Sequence, residues 1–153
     1  MKQMITLYYP FIATLLLIAS QTNGHCVTAP ISYGELIDKI TILTIKSERI
    51  TDAEKLKNVD TELTALEKVY ADCVGNRIDV PRLQALLKTV NEALWDIEDA
   101  IRVKEHNKEF DDEFIQLARS VYITNDKRCM IKKEIDKLLG SHITEEKSYE
   151  DLV

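Results

Sequence analysis

Leu56, Val59, Leu63, Leu66, Tyr70 and Cys73 follow one another at steps of three and four without a fault, a spacing that gathers them on one face of an α-helix. The alternation resumes after Asp79 and Pro81 as Leu83, Leu87, Val90, Leu94, Ile97 and Ile101. Pro at the start of a helix gives up only an amide that would be unpaired there anyway, so Pro81 opens this segment instead of breaking it. Two such stripes are unstable alone in water and demand other helices to cover them.

The flanking segments supply those helices. Ser32-Tyr33-Gly34-Glu35 has the form of a capping box, in which the hydroxyl accepts from the Glu35 amide and the Glu35 carboxylate reaches back to the Ser32 amide. A first helix is therefore expected over about 32–50, with Leu36, Ile37, Ile40 and Leu43 inward. Thr51-Asp52-Ala53-Glu54 repeats the box and starts a second helix over about 52–74, before Gly75. The third runs over about 80–107. Asp111 or Asp112 caps a fourth over about 112–139, which Gly140 closes in the left-handed conformation. With only 4 Gly and 3 Pro in 153 residues, hairpins have little turn material. The expected class is all-α, an antiparallel up-and-down bundle of four helices in a domain over 32–140, with a polar, extended tail over 141–153.

Residues 1–31 read differently. Lys2, the mostly apolar run 4–19 and the polar segment Ser20-Gln21-Thr22-Asn23-Gly24 stand in the order of a secretory leader. The run is shorter than the ~20 residues a spanning helix needs. The expectation is a leader over 1–24, cleaved after Gly24, then a short linker over 25–31, and a secreted or periplasmic location; the alternatives are an uncleaved anchor, which would be the sole contact with a membrane, or a cytoplasmic protein. Cys26, Cys73 and Cys129 form no CxxC pair, no His stands at ligand spacing, and neither metal nor cofactor is expected. Cys73 and Cys129 are expected as small apolar fillers, or as a disulfide if the chain is exported. Lys and Arg total 20 against 26 Asp and Glu, a formal charge of -6, so nucleic acid is not an expected partner.

Two stripes depart from the apolar pattern. On the fourth helix the inward face reads Phe114, Leu117, Val121, Asn125, Arg128, Lys132, Ile135 and Leu139, with an amide and two cations in its middle. On the third, Asn91, Trp95, Glu98 and Arg102 border the apolar stripe. A buried charge without a partner costs several kcal/mol, roughly, so partners or water must be near. Folding the chain about its turns brings Asp38 and Lys39, Asn91 with Trp95, and Asn125 with Arg128 to one level, and Glu98 and Arg119 to the next. Two readings stand. One is a hydrogen-bonded layer fixing helix register, with an Arg clasped by a carboxylate such as Glu98; the other is a pocket for a small anion lined by Lys39, Asn91, Trp95, Glu98, Arg119, Asn125 and Arg128. Separately, Ile42 and Ile45 lie opposite the core stripe of the first helix, either as an interface for a second copy or a protein partner, or packed on a splayed helix of the same chain.

Residues 32–43 (SYGELIDKITIL), 91–102 (NEALWDIEDAIR) and 118–126 (ARSVYITND), with 145–149 (EEKSY), resemble a small uncharacterised all-helical bacterial domain family over about residues 30–149. The resemblance implies an intracellular domain of unknown function, met near sugar-transfer and surface-polysaccharide genes. It carries no catalytic residue, and the leader is no part of its pattern. The reading that follows is a small binding or assembly module with an internal polar, anion-accepting layer. The alternative is a small helical enzyme. Residues 37–49 resemble the first helix of helical chorismate mutases, with Lys39, Arg119 and Arg128 as carboxylate binders, and Glu92, Asp96 and Asp99 stand at i, i+4 and i+7 like the Mg2+ ligands of a helical nucleotide pyrophosphatase.

Overall fold

A computed structural model describes residues 27–148, and the expectations for the leader, for Cys26 and for residues 149–153 lie outside the described residues. Four helices carry the chain: α1 Tyr33–Arg49, α2 Ala53–Cys73, α3 Val80–Asn107 and α4 Asp112–Leu139. The fold is all-α, and no strand occurs among the described residues. Local chemistry sets each boundary. Ser32 Oγ accepts from the Glu35 amide at 3.2 Å, Asp52 Oδ1 from the Lys55 amide at 2.9 Å, and Asp111 Oδ1 from the Phe114 amide at 3.0 Å. Asp79 precedes α3 without a side-chain bond, and Pro81 sits in its first turn. Gly140 ends α4 at φ 67°, a left-handed backbone that a Cβ would strain. Only half of the expected first capping box forms, because the Glu35 carboxylate pairs with Lys132 on α4 and does not turn back to Ser32.

α1 is the central helix: it packs against α2, α3 and α4, while the backbone of α2 comes close to that of α1 alone. Short connections were expected to make all successive helices packed neighbours. That holds for α1 with α2 and for α3 with α4, and fails between α2 and α3, whose backbones stay apart. Because α1 is covered from several sides, it buries Leu36, Ile37, Ile40, Leu43 and Ile45, more of its circumference than a surface helix would. Ile37 joins Val74, Val80, Leu83, Leu87 and Ile135 in the main apolar cluster. Burying each such side chain contributes ~1.5 to 3 kcal/mol. α2, held on one side, buries only Val59 completely.

α3 and α4 have 28 residues each against 17 in α1, so they outrun it by about 16 Å at 1.5 Å per residue. No residue of α3 after Asn91, and none of α4 before Cys129, is fully buried. Val103, Phe110 and Ile115 stay exposed at that end, where Phe110 and Phe114 meet edge to face and Lys104 gathers Asp111 and Glu113 at 2.9 and 2.6 Å. At the opposite end α1 is clamped onto α4. The Gly34 amide donates to Asp136 Oδ1 at 2.7 Å, and a Cβ on Gly34 would lie 2.6 Å from the Lys132 carbonyl oxygen, so only glycine allows this approach. Lys132 also reaches Glu145 at 2.6 Å, which straps the non-helical tail beside α1.

Candidate functional site

The polar residues in the middle of α4 face α1. Arg128 Nε donates to Asp38 Oδ1 at 2.8 Å and its Nη2 pairs with Asp38 Oδ2, a two-point grip that fits the planar guanidinium to the carboxylate. From α3, Asn91 Nδ2 donates to the same Asp38 Oδ1 at 2.9 Å and to Thr41 Oγ1 at 2.9 Å. Thr41 Oγ1 gives its own hydrogen to the Asp38 carbonyl at 2.8 Å. Asp38 is 2% exposed, so three helices meet on one buried carboxylate. Hydrogen bonding to Asp38 raises the pKa of Arg128 beyond its ordinary value, against the lowering effect of burial.

Beside this node opens a cleft of about 220 Å³ between α1, α3 and α4. Ile42, Ile45, Leu94 and Val121 form its apolar walls. Asn91, Trp95, Glu98, Asn125 and Arg128 supply its polar groups. The Asn125 side chain makes no hydrogen bond to any described residue, and Arg128 keeps 27% of its side chain exposed while holding Asp38. Glu98 is tied outward to Arg102 at 2.8 Å. The Arg49 guanidinium lies 5.7 Å from the Trp95 ring centre and pairs with Asp96, so one edge of the Trp wall is braced by a cation.

Of the residues singled out from sequence, Asn91, Trp95, Glu98, Asn125 and Arg128 come together here, joined by Ile42 and Ile45. Lys39 does not. It is exposed and pairs with Glu62 on α2 at 2.6 Å, at the edge of a wider hollow of about 990 Å³ between α1 and α2 that also borders Leu36, Leu66, Val69 and Arg128. Arg119 is exposed and lines neither hollow. Of the two readings of Ile45 the interior one holds: at 1% exposed it is packed within the chain, on the side of α1 that lines the cleft with α3 and α4, and offers no surface to a partner. Ile42 is half-buried between the two hollows. The partner of Arg128 is Asp38, not Glu98. Glu92 and Asp96 are taken by Lys88 and Arg49, and among the described residues no three acidic, His or Cys side chains gather as metal ligands. Cys73 and Cys129 are free thiols, the first exposed and the second buried. No described helix is long and apolar enough to cross a membrane.

Thr41 was absent from the sequence-based set, although it orients Asn91. The signal existed: a Thr three residues after Asp38 on one helix can bond back to that residue's carbonyl and present its oxygen sideways. Residues 27–153 match the model of a family described as a family of unknown function (DUF6165). No curated protein and no solved structure matches the chain.

Proposed function

The chain belongs to that family of unknown function, and from this premise we propose that it is a small binding module whose cleft between α1, α3 and α4 takes one small, uncharged ligand. The observation that carries the proposal is a cleft of about 220 Å³ whose Asn125 amide bonds to nothing else in the described chain and whose single cation, Arg128, is already paired with Asp38. A binding site of this kind combines apolar walls with a few convergent polar groups. Its volume falls below the ~300 Å³ at which drug-sized pockets begin, so the ligand is no larger than a single ring.

Charge separates this reading from an anion site. Within the lining Arg128 contributes one positive charge and Glu98 one negative, and Asp38 stands directly behind Arg128. An incoming carboxylate or phosphate would compete with Asp38 for the guanidinium and come near Glu98, whose charge Arg102 offsets only from outside the lining. A neutral ligand avoids both costs. Addition of glycerol, acetamide, acetate or inorganic phosphate to 15N-labelled protein tests this, with the Asn125 side-chain amide and the Trp95 indole as reporters. Saturable shifts at both with a neutral probe, and none with the anions, are expected; saturation by acetate or phosphate alone, or by no probe, would contradict it.

A further inference from the structure

The hydrogen bonds behind the cleft have only one possible direction, and that direction fixes what the lining can offer. Arg128 can only donate and the Asp38 carboxylate it grips can only accept. Thr41 gives its one hydrogen to the Asp38 carbonyl, so toward Asn91 its oxygen can only accept. Both hydrogens of the Asn91 amide are therefore committed, to Asp38 and to Thr41, and no flipped orientation satisfies the same partners. What Asn91 has left is Oδ1, an acceptor that bonds to no described residue on a residue 6% exposed. On α4, Arg128 has spent Nε and one Nη2 hydrogen and has only donors left. The Trp95 indole also only donates, Glu98, tied to Arg102, only accepts, and Asn125 does both.

We infer that the ligand enters with an amide- or lactam-like edge, one hydrogen-bond donor beside one acceptor on a small ring, an inference that rests on the cleft reading above. The donor satisfies Asn91 Oδ1 on α3. The acceptor takes the remaining guanidinium hydrogens of Arg128 on α4, and Asn125 completes either side. A group with acceptors alone leaves Asn91 Oδ1 facing another oxygen, and a group with donors alone faces Arg128. Ile42, Ile45, Leu94 and Val121 offer nothing to hydroxyls on the rest of the ligand, which disfavours a polyol. The volume holds about seven waters at ~30 Å³ each, enough for a five- or six-membered ring.

Titration of the 15N-labelled full chain with 2-pyrrolidinone, N-methyl-2-pyrrolidinone and glycerol separates the possibilities. The lactam should shift the Asn125 amide and Trp95 indole saturably, its N-methyl derivative should bind at least about tenfold more weakly because a built hydrogen-bond site rejects a partner lacking the donor, and glycerol should give no saturable shift. Asn125→Ala should weaken the lactam while leaving the melting temperature unchanged, since Asn125 bonds to nothing in the described fold. Equal binding of lactam and N-methyl lactam, or tighter binding of glycerol, would overturn the amide-edge inference and leave a neutral cleft standing. If none of the three neutral probes perturbs the cleft, the binding proposal itself fails.

Discussion

Replacing Asp38 by Ala removes the acceptor on which three helices converge. Arg128 loses both of its bonds and Asn91 one of two. Deleting one partner of a fully buried ion pair costs ~3 to 5 kcal/mol, because the other charge is left without compensation. Arg128 retains 27% side-chain exposure and can recover some hydration, which lowers the figure, while the orphaned Asn91 hydrogen adds ~1 kcal/mol. The expected loss is ~2 to 4 kcal/mol, or about 1 M or more in the urea midpoint for a domain of this size. Urea unfolding followed by fluorescence of Trp95, the sole Trp, and independently by circular dichroism gives the value. The paired replacement Asp38→Leu with Arg128→Met should restore most of the stability, since apolar substitution of a buried pair is often neutral. A loss below ~0.5 kcal/mol for Asp38→Ala, or a coupling below ~0.5 kcal/mol between positions 38 and 128, would refute the reasoning.

Further outcomes follow from the same contacts. Gly34→Ala places a methyl 2.6 Å from the Lys132 carbonyl oxygen, so it should cost ~1 to 3 kcal/mol in urea unfolding as α1 is pushed off α4. Ile45→Ala should cost ~2 to 5 kcal/mol in the same assay without changing the sedimentation coefficient, because Ile45 is an interior residue. Acid should release the tail. The Lys132 ammonium holds the Glu145 carboxyl below its ordinary value, against burial, so the strap's contribution is fully present above the usual carboxylate range and disappears as pH falls through the lowered value. Backbone 15N order parameters of residues 143–148 should fall in acid before those of α1, and Glu145→Gln should show the mobile tail already at neutral pH.

Helix positions were legible where cap and apolar period agreed, as with Ser32 and Asp111, whereas the second cap falls on Asp52, one residue past the Thr51 box, and Asp79 caps α3 without a side-chain bond. The arrangement was less so. Each helix carries its own period, but the pattern of α1 does not say how many neighbours will cover it, and a surface helix with stray isoleucines looks the same as a central one. Ile45 carried both an interface and an interior reading for that reason. The convergence of Asn91, Trp95, Asn125 and Arg128 was readable because buried polar groups require partners and 3.6-residue spacing aligns them. Lys39 and Arg119 fell outside, since a long side chain near a helix edge reaches water or a surface carboxylate as easily as the interior. Which acidic residue would take Arg128 depends on how α1, α3 and α4 are rotated against one another, which tertiary packing decides and no local sequence signal carries.

Nuclear Overhauser contacts and exchange rates of the Arg128 Hε and the two Asn91 Hδ2 protons report directly on whether α1, α3 and α4 share one carboxylate. Slowly exchanging resonances for all three protons, with Asn91 Hδ2 close to the Thr41 side chain and Arg128 Hε close to Asn91, are the result this structure requires. An Arg128 Hε that exchanges with water as fast as that of exposed Arg119, with no contact to Asn91, would contradict it.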